Sequence, residues 1–356
     1  MPDVKAQEGT PQVSARSYVL YCPQNRKVIL SHNMDTPMGM ASTTKIMTAL
    51  LTLEYAQKED KVVTFTSRMT AEGSSMYLKV GDKVRLSDLA AGMMTVSGND
   101  AANAAAVSIG KSMENFAKLM NSRAKEIGMK NTNFVNPSGL PCEGHYSTAY
   151  DMALLMSYAL ENEDFRALSA KKCVEVDFIN PPAQRVTYTN HNKLLWRYEY
   201  CTGGKTGYTR SDGRCLVSSS TKDNLDLVAV TLNASDDWND HKALFDYGYE
   251  NYCAVQTGKS SVLYDVRVLS SDKERVRACA EGRNEIILTK EDAEKLTTQV
   301  YLEPVVFAPV SEGQVLGRIR CTLDGKVVYT AHIKSVEGAD YAEISGFLRL
   351  FRRLFR

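Results

Sequence analysis

Apolar positions change their period along this chain, and each change predicts a different element. Residues 17–21 and 27–32 are β-rich runs on either side of Pro23-Gln24-Asn25-Arg26, which predicts an N-terminal hairpin. From Ser42 the spacing becomes helical, with Ile46, Ala49, Leu50 and Leu53 on one face at i, i+3, i+4, i+7. Further helices are expected near 86–94, 100–108, 113–127 and 148–161, which together make a mostly helical middle region. After Thr202-Gly203-Gly204 come three apolar-rich runs, 205–209, 215–219 and 225–232, divided by Ser211-Asp212-Gly213 and Lys222-Asp223-Asn224. Antiparallel hairpins are the natural reading of that order, and a helix over 238–249 closes the section. The predicted class is α+β: an antiparallel sheet with helices on its faces plus a helical subdomain.

Beyond Gly258 the pattern turns to strands alone. Val262, Tyr264, Val266 and Val268 line one strand face, and 318–323 joins 326–332 through Asp324-Gly325, a strong hairpin signal. The expected organisation is a disordered start over 1–11, a catalytic-type domain over 12–258, a small all-β domain over 259–336, and a linker with a terminal amphipathic helix over 337–356. In that last segment Phe347, Leu348, Phe351, Leu354 and Phe355 share one helical face, and Arg349, Arg352, Arg353 and Arg356 the other. A helix lying on an anionic membrane surface through 347–356 fits that pattern, and a helix packed on the protein or on a partner chain is the alternative.

Composition narrows the partners. Lys plus Arg number 43 against 42 for Asp plus Glu, so no net field holds a long polyanion and nucleic acid is not expected. The 356 residues, 44% hydrophobic, suffice for one large core and a second smaller one. Eight cysteines are scattered without C-x-x-C pairs or matched histidines, which argues against a zinc site and leaves their redox state open. Residues 1–15 lack the apolar stretch of a secretory signal, so the protein stays inside or its leader has been removed. No run of about 18 apolar residues occurs, so no spanning helix is expected.

Ser-x-x-Lys occurs six times, beginning at Ser42, Ser108, Ser122, Ser169, Ser219 and Ser270, and is a poor signal by itself. What selects Ser42 is that Ala41-Ser42-Thr43-Thr44-Lys45 opens an amphipathic helix, so i and i+3 bring hydroxyl and ammonium to one face. The helix N-terminus and burial both lower the pKa of Lys45, and a neutral amine can take the proton of a nucleophilic serine. Two triplets follow once each in the chain. Ser97-Gly98-Asn99 lies in a loop between helices, where a hydroxyl and an amide can relay a proton to a departing amine. Lys205-Thr206-Gly207 lies on a strand and offers a cation and a hydroxyl to an anionic substrate end, while Gly207 leaves room for an extended peptide.

With these motifs in order, the sequence resembles the low-molecular-mass penicillin-binding proteins that act as serine-type D-alanyl-D-alanine carboxypeptidases. The resemblance extends through Gly73-Ser74-Ser75-Met76, residues 190–195, 205–217 and Asp246-Tyr247-Gly248-Tyr249, and includes the small β domain and terminal helix. It implies Ser42 as nucleophile, Lys45 as general base, Ser97 and Asn99 in proton transfer and orientation, and Lys205 and Thr206 on the substrate carboxylate. It also implies an oxyanion hole from the main-chain N–H groups of Ser42 and Tyr208, with no metal or organic cofactor. Peptidoglycan stem peptides and β-lactams are the implied partners, met outside the cytoplasmic membrane. Three positions depart from the family pattern: Ser138 in Asn136-Pro137-Ser138-Gly139-Leu140 where histidine is expected, Cys201-Thr202-Gly203-Gly204 before the third motif, and Asp212 where a small residue is common.

Each motif also has a plain structural reading: Ser42 as a helix N-cap, Ser97-Gly98-Asn99 as a turn, Lys205-Thr206-Gly207 as a polar strand end. No G-x-S-x-G or H-E-x-x-H is present, and Gly258-Lys259-Ser260 lacks the first glycine of a phosphate loop, where Cys253 stands. The five histidines read as structural, with His145 the one that could neighbour the cleft. The rival functions are a catalytically silent cell-wall binding protein and a D,D-endopeptidase.

Overall fold

A computed structural model describes residues 9–257, 262–282 and 285–342; the expected terminal helix over 347–356 lies outside the described residues. The chain divides into two units, Met1–Glu250 and Asn251–Arg356. The first is α+β and the second a small β unit, as the hydrophobic pattern predicts.

The first unit begins with the hairpin β1 (Ser17–Cys22) and β2 (Lys27–His32), and then α1 (Lys45–Lys58). A short ribbon, β3 (Val62–Thr64) and β4 (Lys83–Arg85), precedes α2 (Leu86–Thr95), α3 (Asn99–Gly110) and α4 (Met113–Ile127). After them come α5 (Ala149–Ala159), α6 (Glu163–Ser169), the ribbon β5 (Cys173–Asp177) and β6 (Arg185–Thr189), and α7 (Leu194–Arg197). The unit ends with β7 (Cys201–Thr209), β8 (Gly213–Lys222), β9 (Leu225–Ala234) and α8 (Asp237–Asn251).

Five strands form one antiparallel sheet in the order β2-β1-β9-β8-β7, so the first hairpin joins the last three strands through the β1–β9 pairing. Strands β8 and β9 are buried on both faces, which explains why their sequences run apolar or small rather than alternating. Helix α5 covers one face, against β1, β8 and β9. On the other face Gly248 of α8 meets Leu227 and Leu20 so closely that a Cβ would stand 2.5 Å from Leu227 Cδ1.

Local signals set the helix boundaries. Ser112 accepts from Asn115 N–H at 3.1 Å to start α4, and Gly128, at φ +93°, ends it. Thr148 does the same for α5, accepting from Asp151 N–H at 3.0 Å. Helix α1 is apolar on more than one side because it is enclosed by α2, α3, α5 and α6, with Ile46, Met47, Ala49 and Leu50 wholly buried. That enclosure fixes the helix whose first turn carries the Ser-Lys pair.

The second unit adds β10 (Tyr252–Gln256), β11 (Tyr264–Leu269), β12 (Arg275–Ala280), β13 (Glu285–Thr289), α9 (Lys290–Lys295), β14 (Thr297–Leu302), β15 (Val305–Phe307), β16 (Val315–Leu323) and β17 (Lys326–Ser335). Strand β10 pairs with β13, and the remaining six form a sheet in the order β14-β16-β17-β12-β11-β15. Its core is the inward set Val266, Val268, Val276, Ala278, Leu316, Ile319 and Ile333. Strict alternation along β12 places Val276, Ala278 and Ala280 inside and Arg275 and Arg277 outside.

Candidate active site

Between β2 and α1 the chain makes a single 3-10 turn, Ala41–Thr44, which presents Ser42. Ala41 sits at φ +46°, a conformation that L side chains rarely adopt, and its surroundings hold it there. Its N–H donates to Asp212 Oδ2 at 3.2 Å, and its carbonyl accepts from the Thr44 hydroxyl at 2.8 Å. Gly139, at φ +84°, lies so close that a Cβ would stand 1.9 Å from Ala41 O, so only glycine fits. Asp212, which departs from the family pattern, therefore braces the turn that carries the nucleophile.

Ser42 is not a helix cap, because neither the 3-10 turn nor α1 has a side-chain cap. Its hydroxyl lies 2.9 Å from Lys45 Nζ. Lys45 is fully buried, and its amine also reaches Asn99 Oδ1 at 2.6 Å and Ser138 O at 2.5 Å. Burial drives the pKa of Lys45 well below the usual lysine value; the nearby Lys205 lowers it further, and Asp100 opposes them. A neutral amine has two N–H donors and one lone pair, which match two fixed acceptors and one serine O–H to be received.

The second triplet opens α3, with Ser97 at φ +60°. Asn99 is held on three sides: its N–H donates to Ser74 O at 2.7 Å, Nδ2 donates to Glu72 O at 2.6 Å, and Oδ1 faces Lys45. Asp100 ties down the same 72–78 loop by accepting from Ser75 Oγ, Met76 N–H and Leu78 N–H. Ser97 Oγ accepts from Lys205 Nζ at 3.0 Å, and Lys205 also donates to Thr206 O at 2.7 Å. Lys205 is 1% exposed, and burial lowers its pKa to about 7. The third triplet thus turns its lysine inward to the second triplet, while Thr206 and Gly207 line the cavity.

Gly207 brings β7 against the nucleophile. A Cβ there would stand 2.8 Å from Ser42 N, so a side chain would displace the main chain on which an oxyanion site depends. The cavity, of about 550 Å3, joins Ser42, Ser97, Thr206 and Tyr208 to Arg214 and Trp238. Arg214 lies opposite Tyr208 across β7 and β8. Its Nε and Nη2 both donate to Asp237 Oδ1, the former at 3.0 Å, and its guanidinium lies 6.0 Å from the Trp238 ring centroid. Asp237 is buried whereas the Arg214 side chain is 43% exposed, so a buried carboxylate anchors a cation that still faces the cavity. Sequence reasoning missed Arg214; its signal is its place opposite Tyr208 just after the Ser211-Asp212-Gly213 turn.

The other flagged positions find plain roles. Ser138 contributes its main-chain oxygen to Lys45, while its hydroxyl bonds Asn136 Oδ1 at 3.1 Å. His145 Nδ1 accepts from Val135 N–H at 3.0 Å, which leaves Nε2–H to face the Thr44 hydroxyl at 2.9 Å. Burial pushes the imidazole pKa down to about 4, so it is neutral behind the turn. Among the described residues no group of three or more His, Cys, Asp or Glu side chains is arranged to hold a metal ion.

A buried lysine on a serine one turn away, at the start of a helix whose first turn packs against an antiparallel sheet, defines a serine acyl-transfer enzyme that uses lysine where others use histidine. The family model described as D-alanyl-D-alanine carboxypeptidase matches residues 4–236, and that of the penicillin-binding protein 5 C-terminal domain matches 252–339. The chain is 31% identical to the D-alanyl-D-alanine carboxypeptidase DacF of Bacillus subtilis (strain 168), over 94% of this chain and 88% of that protein. It is 34% identical to DacC of Escherichia coli (strain K12), over 89% and 82%. The structure of penicillin-binding protein 5 from Haemophilus influenzae superposes with a TM-score of 0.71 at 28% identity, covering 93% of this chain and 98% of that one. The chain belongs to the D-alanyl-D-alanine carboxypeptidase family of serine peptidases, which are cell-wall hydrolases. Among the described residues no helix is long and apolar enough to cross a membrane.

Proposed function

We propose that this enzyme removes the terminal D-alanine from peptidoglycan stem peptides through an acyl ester on Ser42. The observation that carries the reading is the 2.9 Å contact between Ser42 Oγ and the fully buried amine of Lys45. Lys45 takes the hydroxyl proton as Oγ bonds to the carbonyl carbon of the penultimate D-alanine. The main-chain N–H groups of Ser42 and Tyr208 receive the developing oxyanion. When the C–N bond breaks, Lys45 passes the serine proton to the departing D-alanine amine through the Ser97 hydroxyl, which Lys205 holds at 3.0 Å, and is neutral again. Asn99 holds Lys45 in register. Water then adds to the ester, with Lys45 as base again, and releases Ser42.

The substrate carboxylate goes to Thr206 and Arg214. Lys205 is already spent on Ser97, so the cation exposed to the cavity is Arg214. A β-lactam enters by the same route and stays as the acyl ester. An endopeptidase shares the first step, but an anchored arginine favours a substrate that ends in a free carboxylate. We assign residues up to Glu250 to catalysis and those from Asn251 to 336 to the β domain, since β10 pairs with β13, and 337–356 to a linker and membrane-surface helix, which would attach the enzyme peripherally to the outer face of the cytoplasmic membrane.

Mass spectrometry after β-lactam treatment tests the assignment: the adduct is expected on the Ser42 peptide, and an adduct on another serine overturns it. Release of D-alanine from a D-Ala-D-Ala peptide separates the enzyme from a silent binding protein.

A further inference from the structure

The six-stranded sheet of the second unit has an apolar face and a strongly basic one. Outward positions carry Asp265 and Arg267 on β11, Arg275 and Arg277 on β12, Arg318 and Arg320 on β16, and Lys334 on β17, with Asp265 opposite Arg277. Acids neutralise two of the cations: Glu337 pairs with Arg277, and Glu281 with Lys334. Arg267, Arg275, Arg318 and Arg320 have no acidic partner among the described residues, and the Arg320 Nε is buried without any hydrogen bond.

Their arrangement runs against what stabilises a sheet. Arg267 stands directly across from Arg275 in the β11–β12 register, where like charges repel. Arg318 and Arg320 converge on one ring, with their guanidinium carbons 5.4 and 5.5 Å from the Tyr301 centroid. Arg318 also faces His332 across β17. Apart from the Tyr301 ring and Asp265, which stands opposite Arg277, this face holds these four arginines without acids of its own, which suits a ligand of opposite charge.

We propose that this sheet face is a second, non-catalytic site that holds the wall polymer through the carboxylates of its stem peptides. Guanidinium groups recognise carboxylates by paired N–H donation, and several of them spread over neighbouring strands about 4.8 Å apart suit a repeating anion rather than one small ligand. The wall polymer is favoured over other polyanions because it is the enzyme's own proposed substrate; in that choice the inference rests on the carboxypeptidase reading. Retention on the polymer raises the local concentration of stem peptides for a separate active site.

The test uses the full chain, purified insoluble peptidoglycan, and a variant carrying Arg267→Glu, Arg275→Glu, Arg318→Glu and Arg320→Glu. Enzyme first acylated with a β-lactam should still cosediment with peptidoglycan, and the variant should bind at least about tenfold more weakly, while kcat/KM on a soluble D-Ala-D-Ala peptide stays unchanged. Capping peptidoglycan carboxyls as amides should abolish retention of the unmodified enzyme, and raising salt should weaken it steadily. Equal retention of enzyme and variant, retention indifferent to capping or salt, or a variant defect seen only with phosphatidylglycerol vesicles would each overturn the proposal. Absence of D-alanine release from the soluble peptide would instead count against the carboxypeptidase reading, whatever the retention.

Discussion

The two units handle positive charge in opposite ways. The catalytic unit buries Lys45 and Lys205 completely among fixed oxygen acceptors, and desolvation lowers the pKa of both. The β unit keeps its arginines on the outer face of a sheet whose inner face is apolar. A buried lysine becomes a base because losing its proton relieves the cost of burial. A surface arginine remains a cation at any physiological pH and can only attract. Burial, rather than residue count, separates a charge that does chemistry from one that binds.

The largest expected break in this contrast is at the pair itself. Ser42→Ala and Lys45→Ala should each lower acylation by about 10^4-fold or more, as measured by stopped-flow β-lactam trapping. Lys45→Arg should do no better than alanine, since it restores the charge but cannot surrender a proton. An active arginine variant would mean that Lys45 acts as a charge and not as a base. Ser97→Ala should cost about 10^2-fold in kcat on a peptide, within the range for proton transfer by a positioned group.

Arg214→Ala should raise KM by about tenfold for peptides with a free terminal carboxylate, the scale of one charged hydrogen bond. It should leave peptides ending in an amide unaffected, and an equal loss on both would remove Arg214 from the carboxylate site. The pH profile is a further check. Lys45 must be neutral to accept the serine proton, and burial lowers its pKa. The acylation rate should therefore fall toward low pH as Lys45 gains its proton. A profile flat from about pH 5 to 9 would contradict the assignment. The smallest effect is expected in the β unit, where Ile319→Val, at a wholly buried site, should cost about 1 kcal/mol in urea unfolding and leave kcat unchanged.

How much of this was legible depended on distance along the chain. The Ser42–Lys45 contact spans three residues of one turn, so local geometry nearly dictates it. The paired strands around Asp324-Gly325 and Ser211-Asp212-Gly213 were legible for the same reason. The partner of Lys205 was not. Its orientation toward Ser97 arises from packing across 108 residues, and the motif alone pointed it at the substrate. Arg214 escaped notice because its anchor, Asp237, belongs to a different element. Strand β10, read as the tail of the catalytic region, instead pairs with β13 in the β unit, a partnership set by a segment some thirty residues away.

The carbonyl of residue 138 offers a lesson for reading genomes. Lys45 leans there on peptide backbone, so whichever side chain evolution installs at that position, the oxygen persists. A search pattern that insisted on histidine would discard a chain whose proton acceptor is nonetheless fully supported. Glycine at 139, by contrast, tolerates no drift, since the neighbouring peptide occupies the space any substituent would need.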